Sequence, residues 1–456
     1  MSSELEIRDP IHGFIFREPT EQGIVDTNIF QRLRRLRQLA LAYLVYPGAV
    51  HTRFEHSLGA FHVACRVASQ LQLSSEEARL VRLAALLHDV GHGPFSHVSE
   101  PILERHANKE KVKLSPKQQV HELITAQILR ENAELAQWIL QKDIEKVIGI
   151  LDGESGYSVL HDIVSGPIDA DKQDYLLRDS YFCGVKYGVY DIDFLIGQLR
   201  LHADADDKYL GISQNGIYAL EQFVLAKYYM KTQVYHHRIR LITDQMIERA
   251  ISLGIEKDRI GWLRDLYAYD GSKEYLENYV SWTDDRLTTK ILEESAQTRA
   301  NSIFRRLMDR RLLKCILKVN QNDFADPVAR LMVFTESGKF HRALEAMIAD
   351  HFKIDEADLV ICKLVTFPSA VKTESQILVV EPGKNPAYFH QESALFGAVN
   401  LAILEQTFQV YAPVTYKDGK DKNKRSREFR EEILGMIGKL AAQQAASSSK
   451  PSSDRN

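Results

Sequence analysis

Apolar residues return every three or four positions over most of this chain, the period of helices that bury one face. The pattern opens with Ile29, Leu33, Leu36 and Leu39-Ala40, after Asp26-Thr27, a pair able to cap a helix. Residues 56–73 and 75–90 read as two further amphipathic helices, the second introduced by Ser74-Ser75-Glu76-Glu77. Helical patterns continue through 116–150, 157–182 and 216–255, and dominate to about residue 320. Upstream, the Pro and Gly of Asp9-Pro10-Ile11-His12-Gly13 mark a loop or short extended segment.

The pattern then shifts. Leu331-Met332-Val333-Phe334, Leu359 to Val365 and Gln376-Ile377-Leu378-Val379-Val380 read as strands, with a helix from Lys339 to His351 between the first two. The expected architecture is mainly α: a helical core over residues 1–325 and a smaller C-terminal α+β lobe over 326–440. Residues 441–456 read as a disordered tail, from Ala442-Gln443-Gln444 and the Ser447-Ser448-Ser449-Lys450-Pro451 run. No internal repeat is visible.

Composition narrows the class. At 456 residues the chain exceeds one ordinary core, and its 45% hydrophobic and 26% charged residues are those of a globular protein. Lys plus Arg is 58 against 62 for Asp plus Glu, so the net charge of -4 gives no bulk attraction to nucleic acid or anionic membrane. The start, Met1-Ser2-Ser3-Glu4-Leu5-Glu6, lacks the regions of a signal peptide, and no apolar run is long enough to span a bilayer. Cys65, Cys183, Cys315 and Cys362 are scattered, which argues against a disulfide framework or zinc ribbon. The expectation is a cytoplasmic protein with reduced thiols and no membrane partner.

The candidate chemistry lies in His56, the pair His88-Asp89, and Asp171. Leu80, Leu83, Ala84 and Leu87 form an apolar stripe ending at His88-Asp89-Val90-Gly91-His92-Gly93, which places an imidazole and a carboxylate at a buried helix end. A buried carboxylate is costly unless it is paired, hydrogen-bonded or metal-bound. Taken alone, the dipeptide is equally well read as a helix cap. Two imidazoles and two carboxylates together fit a Mn, Fe, Ni or Zn site that leaves positions open for water and phosphate.

Three segments carry a resemblance: His51-Thr52-Arg53-Phe54-Glu55-His56-Ser57-Leu58-Gly59, Leu87-His88-Asp89-Val90-Gly91-His92-Gly93-Pro94-Phe95-Ser96-His97, and Asp169-Ala170-Asp171-Lys172-Gln173-Asp174-Tyr175. In type and order they resemble the HD-domain phosphohydrolases, and among these the deoxynucleoside-triphosphate triphosphohydrolases. The similarity runs from about Arg8 to Arg240. It implies an all-helical HD core within residues 1–325, with His56, His88, Asp89 and Asp171 as ligands of a divalent transition metal. The implied reaction splits a dNTP into deoxynucleoside and inorganic triphosphate, with Mg carried on the substrate phosphates.

Attack at the α-phosphorus needs a fixed cation for the oxygens, and Arg53 is the candidate guanidinium. The departing 5′-oxygen needs a proton, for which His92, His97 and His121 are available. The resemblance assigns the proton to His97, its orientation to Glu100, and the surrounding hydrogen-bond network to His92 and His121. Vertebrate relatives carry aspartate where this chain has Glu100. The same matching implies Gln38, Tyr175, Asp179 and Lys227 as substrate contacts beside Arg53, Tyr175 closing on the sugar so as to disfavour a 2′-hydroxyl; Lys172, directly after a metal ligand, and Tyr235, continuing the helical face of Lys227, add to them. Lys227 replaces a family arginine and loses its bidentate geometry.

Asp26, Gln31 and Arg34 fall at positions that resemble a guanine-recognising activator segment, with Leu5 near the place of an expected lysine. The resemblance implies dGTP or GTP as activator and a homotetramer or homodimer. The plain alternative is a helix cap beside a solvated cluster of Arg32, Arg34, Arg35 and Arg37. Other readings stay open: an HD hydrolase of a nucleoside monophosphate, cyclic nucleotide or alarmone, or a nucleotide sensor binding nucleic acid. The last would use the arginine cluster and Lys417 to Arg430; nucleic acid is not the expected partner.

Overall fold

The computed structural model describes residues 5–112, 118–154, 156–204, 207–335, 338–367, 376–381, 383–397 and 405–448. Helices dominate, and their ends follow local chemistry. The Arg53–Gln70 helix opens with a capping box between Thr52 and Glu55, and the Ser75–Leu87 helix with one between Ser74 and Glu77. Asp169 caps the Ala170–Cys183 helix by accepting the Lys172 backbone N–H at 2.6 Å. Gly184 ends that helix in the left-handed conformation.

The Arg53–Gln70 helix packs against both Ser75–Leu87 and Ala170–Cys183. One apolar cluster runs through all three, including Phe54, Leu58, Phe61, Leu83, Leu87 and Leu176. The metal-type residues therefore sit on elements whose opposite faces are locked in one core. The sequence pattern around Ile29 to Ala40 condenses into two short turns, Asn28–Gln31 and Arg32–Arg35, rather than one long helix. Thr27 caps the first of them. Residues 216–255 divide into Ile217–Tyr229, a π-helical turn at Met230–Tyr235, and Arg238–Glu256.

Small sheets complete the mainly helical fold. Leu5–Asp9 and Gly13–Arg17 form a hairpin over the Asp9 to Gly13 punctuation. Leu199–Asp204 and Asp207–Ser213 pair antiparallel, and Leu378–Val380 joins Asp207–Ser213 in parallel. In the C-terminal region Glu405–Ala412 lies between Lys314–Asn320 and Val360–Phe367, antiparallel to both. The helices Pro327–Phe334, Lys339–Phe352 and Gly419–Ser448 pack around this sheet over a second apolar cluster that includes Phe340, Leu344, Phe408 and Ile433.

Three expectations change. Leu331 to Phe334 is the end of the Pro327–Phe334 helix, not a strand: Asp326 caps it with Pro327 at its first position, and Leu331 is exposed while Val333 is buried. The C-terminal sheet takes its first strand from Lys314–Asn320, ahead of the boundary at 325. The Gly419–Ser448 helix continues through residues 441–448 of the expected tail, while 449–456 lie outside the described residues. Among the described residues no helix is long and apolar enough to cross a membrane.

Candidate metal centre

His56, His88 and Asp171 converge, each offering a ligating atom within 4.8 Å of the others. His56 Nε2 lies 2.9 Å from Asp171 Oδ1, and His88 Nε2 lies 3.8 Å from the same oxygen. Asp89 completes the group, with Oδ1 3.3 Å from His88 Nε2 and Oδ2 3.8 Å from His56 Nε2.

The surrounding residues fix which nitrogen faces the cluster. His88 Nδ1 lies 2.8 Å from the Ala85 carbonyl, which can only accept, so Nδ1 carries the proton and Nε2 the lone pair. His88 Nε2 is buried without a hydrogen-bond partner, an atom in need of a ligand. His56 Nδ1 lies 2.8 Å from Asp174 Oδ2, the carboxylate–histidine arrangement that orients metal-binding imidazoles. Asp174 also meets His12 Nε2 at 2.7 Å and accepts from Arg178 Nε and Nη2 at 2.8 and 2.9 Å. Arg178 continues to Asp9, its Nη1 donating at 2.8 Å. The backbone makes room for this network at Gly59, where a Cβ would stand 1.9 Å from Asp174 Oδ1.

The charges around the cluster suit a cation. Burial opposes a charge on His56, but hydrogen bonds to Asp171 and Asp174 outweigh it and lift its pKa to about 10. A proton there occupies the place between carboxylates that a cation would take. Burial also opposes ionisation of Asp89, yet Arg53, His88 and His92 hold it well below the usual carboxylate range. Two imidazoles and two carboxylates suit a borderline transition ion such as Mn, Fe, Ni or Zn, which would take the place of the His56 Nε2 proton. His56, His88, Asp89 and Asp171 thus fit a divalent cation.

These residues line a cavity of about 190 Å³ together with Gln38, Arg53, His92, His97, His121, Glu122 and Tyr175. Arg53 is buried, donating from Nη1 to Asp89 and from Nε to Ser96 Oγ, while its Nη2 has no hydrogen-bond partner. An anionic oxygen entering the cavity is the natural acceptor. His97 borders the cavity on its solvent-exposed side.

Glu100 and His97 interact through their charges, while the hydrogen bonding of Glu100 goes to His121. Glu100 Oε1 accepts the His121 backbone N–H at 3.1 Å and its Oε2 lies 3.1 Å from His121 Nδ1. The Glu100 carboxylate thus meets the first turn of the Val120–Glu131 helix. His92 lies between the two other histidines, its ring 3.9 Å from that of His121 and 4.7 Å from that of His97.

Four expected substrate contacts stand outside the cavity wall. Lys172 turns back to Asp169 Oδ2 and the Gly166 carbonyl, tying down its own helix start. Asp179 lies against His51 Nε2 at 2.7 Å and accepts from Tyr235 Oη at 2.6 Å. Tyr235 meets the cavity-lining Tyr175, their rings 6.2 Å apart. Lys227 lies on the Ile217–Tyr229 helix, away from the lining. The three activator-type residues lie outside the cavity lining: Gln31 Oε1 accepts from Arg34 Nε, Gln31 Nε2 donates to the Val25 carbonyl, and Asp26 is exposed and accepts from Gln22.

Asp174, Arg178, His12 and Gly59 were not singled out by the sequence reading. Asp171, Asp174 and Arg178 recur at i, i+3 and i+7, one helical face, and that spacing was the available signal.

With this geometry in place, known proteins provide a frame. The HD domain family matches residues 53–179, and the HD associated region matches residues 190–426. An uncharacterized protein of Methanocaldococcus jannaschii is 35% identical over 266 residues, covering 58% of this chain and 52% of that protein. The deoxynucleoside triphosphate triphosphohydrolase SAMHD1 of Gallus gallus is 31% identical over 67% of this chain and 55% of its own. The chain thus spans about half the length of both relatives. A crystal structure of a phosphohydrolase from Bacteroides thetaiotaomicron aligns with a TM-score of 0.69 at 26% identity, covering 90% of this chain and 99% of that one. The chain belongs to the HD-domain phosphohydrolases, in the group whose HD domain is followed by an HD associated region.

Proposed function

We propose that this protein hydrolyses deoxynucleoside triphosphates to deoxynucleoside and inorganic triphosphate. The observation that carries the reading is the convergence of His56, His88, Asp89 and Asp171 beside the unpartnered Nη2 of Arg53 in one cavity. The similarity to SAMHD1 proteins supports the choice of substrate. His56, His88, Asp89 and Asp171 are the proposed holders of a divalent cation, which when bound supplies Lewis acidity and an acidified water.

The remaining roles fall to the chain. Arg53 directs Nη2 at a non-bridging α-phosphoryl oxygen and, through Nη1, holds Asp89 in place. His97 takes up a proton as the polyanion enters and delivers it to the 5′-oxygen of the leaving deoxynucleoside. His121, paired with Glu100, and His92 stack beside His97 and set its orientation. Tyr175 and Gln38 close the cavity on the sugar. Asp179 and Tyr235 back Tyr175 from outside the wall, and Lys172 and Lys227 act on the phosphates only after side-chain rearrangement. Asp26, Gln31 and Arg34 are the proposed seat of a guanine nucleotide activator between subunits, with Asp26 and Arg34 exposed and Gln31 half-buried.

Chromatographic product analysis with a dNTP and Mn tests the reading. Deoxynucleoside plus triphosphate, abolished in His88→Ala, is expected; pyrophosphate or orthophosphate as first product rejects it. A cavity of about 190 Å³ is smaller than the usual 300–1,000 Å³ ligand site. That observation favours, as second reading, an HD hydrolase of a smaller nucleotide such as a monophosphate. Orthophosphate release from dNMP but not dNTP identifies it.

A further inference from the structure

His51 is buried just ahead of the Arg53–Gln70 helix and is linked to both residues proposed to close on the sugar. Its carbonyl accepts the Gln38 N–H at 3.1 Å, and Gln38 lines the cavity. Its Nε2 lies 2.7 Å from Asp179 Oδ1; a carboxylate accepts, so Nε2 carries the proton. The other Asp179 oxygen accepts from Tyr235 Oη at 2.6 Å. The Tyr235 ring meets that of Tyr175 edge-on at 6.2 Å, and Tyr175 lines the cavity with its ring 6.5 Å from that of His56.

Packing alone does not call for an imidazole at this place. With Nε2 protonated, His51 Nδ1 is a lone pair, and it is buried with no hydrogen-bond partner. An apolar ring would stack on Phe182 as this one does, at 4.6 Å and 15°, without stranding an acceptor. What the imidazole adds is the donor to Asp179. Gly48 lets the segment before His51 lie against the same helix end, since a Cβ there would stand 2.5 Å from the Phe182 carbonyl oxygen. Tyr235 closes the π-helical turn Met230–Tyr235, a rare widening of a helix that recurs at functional sites. Tyr46 Oη donates to the Gln233 carbonyl of that turn at 2.9 Å. The turn that carries Tyr235 is therefore pinned to the segment that carries His51.

We propose that His51 is a positioning residue: through Asp179 and Tyr235 it holds Tyr175 over the sugar, and so sets the exclusion of a 2′-hydroxyl. A side chain that must reject one added oxygen has to be held within about 0.5 Å, which takes hydrogen bonds behind it. Asp179 gives each of its oxygens to one donor, and so passes the orientation of His51 on to Tyr235. The inference rests on the proposed function in taking a deoxynucleotide as the occupant. The position of Tyr175 does not depend on it.

The test compares full-length wild type in Mn with His51→Phe, which keeps a ring and removes the donor, and His51→Gln, whose amide can still donate to Asp179. Crystal structures are expected to show the Tyr175 ring displaced in His51→Phe and returned in His51→Gln. The ratio of kcat/KM for dATP over ATP is expected to fall by up to about a hundredfold in His51→Phe and to recover in His51→Gln. Tyr235→Phe breaks the far link of the same chain and is expected to match His51→Phe, with the double variant losing no more than either. Melting temperatures establish folding, and Tyr235→Phe carries the comparison if His51→Phe does not fold. A Tyr175 ring unmoved in the variant overturns the proposal. So does a dATP-to-ATP ratio equal to wild type, the result of a purely structural role that lowers both values together. Wild type that releases no triphosphate from dATP rejects the dNTP reading instead, and the Tyr175 position alone then decides the role of His51.

Discussion

Asp174 holds His56 from behind: His56 Nδ1 and Asp174 Oδ2 are 2.8 Å apart, which leaves His56 Nε2 directed at Asp171. Both residues are buried, and Arg178 and His12 occupy the rest of the Asp174 carboxylate. The imidazole is therefore held in one orientation, Nδ1–H against Asp174, before any cation arrives.

Asp174→Asn keeps the shape but weakens the acceptor. Loss of such a partner costs about tenfold to a hundredfold in metal affinity. Breaking the buried pair with Arg178 also costs about 3–5 kcal/mol of stability. Chelator competition and chemical denaturation measure the two effects; unchanged affinity would show that Asp174 does not support the site.

Gly59→Ala probes the same network by volume alone. The added methyl meets Asp174 Oδ1 at 1.9 Å and Arg178 Nη2 at 2.4 Å, both groups fixed by ion pairs. Overpacking of this kind costs about 1–3 kcal/mol. The variant is expected to melt lower and bind metal more weakly, and a melting curve identical to wild type would contradict the packing described.

Asp284 stabilises the loop that carries the histidines. It accepts the Phe95 N–H at 2.8 Å and the Arg37 N–H at 2.9 Å. Phe95 and Ser96 hold φ of +58° and +51°, a strained pair for side-chain-bearing residues. Asp284→Ala leaves two N–H groups without acceptors, at about 1–3 kcal/mol each. Hydrogen exchange is expected to accelerate at residues 92–98; protection equal to wild type would rule the role out.

The same carboxyl gives a pH signature. Burial, only partly offset by the Phe95 and Arg37 N–H groups, raises its pKa to about 6, against about 3.9 for an unfolded aspartate. The folded chain then binds the proton more tightly than the unfolded one. Its contribution is full below about pH 4 and is lost as pH rises through 6. Between these values Asp284 opposes the usual gain in stability with pH. Asp284→Asn is expected to steepen that gain, and an identical pH profile would contradict the shift.

How much of this was legible follows from where the signals lie. His56, His88, Asp89 and Asp171 stand in short segments whose residue types and order carry the chemistry, and the structure brings them together. Asp174 was passed over because its partners, His12 and Arg178, meet it only in the folded chain. The reach of Glu100 to His121 depends on one methylene and on the approach of two helix starts, neither of which periodicity reports. Lys172 looked like a phosphate ligand by adjacency, yet its side chain satisfies Asp169 and a carbonyl first. In Leu331 to Phe334 the apolar run outweighed the Asp326-Pro327 helix start, which was the better guide.

The most direct test of the central claim is dNTP hydrolysis in ¹⁸O-labelled water, with each product's mass determined. Attack at the α-phosphorus beside the His56, His88, Asp89 and Asp171 centre predicts label in the released triphosphate and none in the deoxynucleoside. Label in the deoxynucleoside, or appearing first in pyrophosphate or orthophosphate, would contradict it.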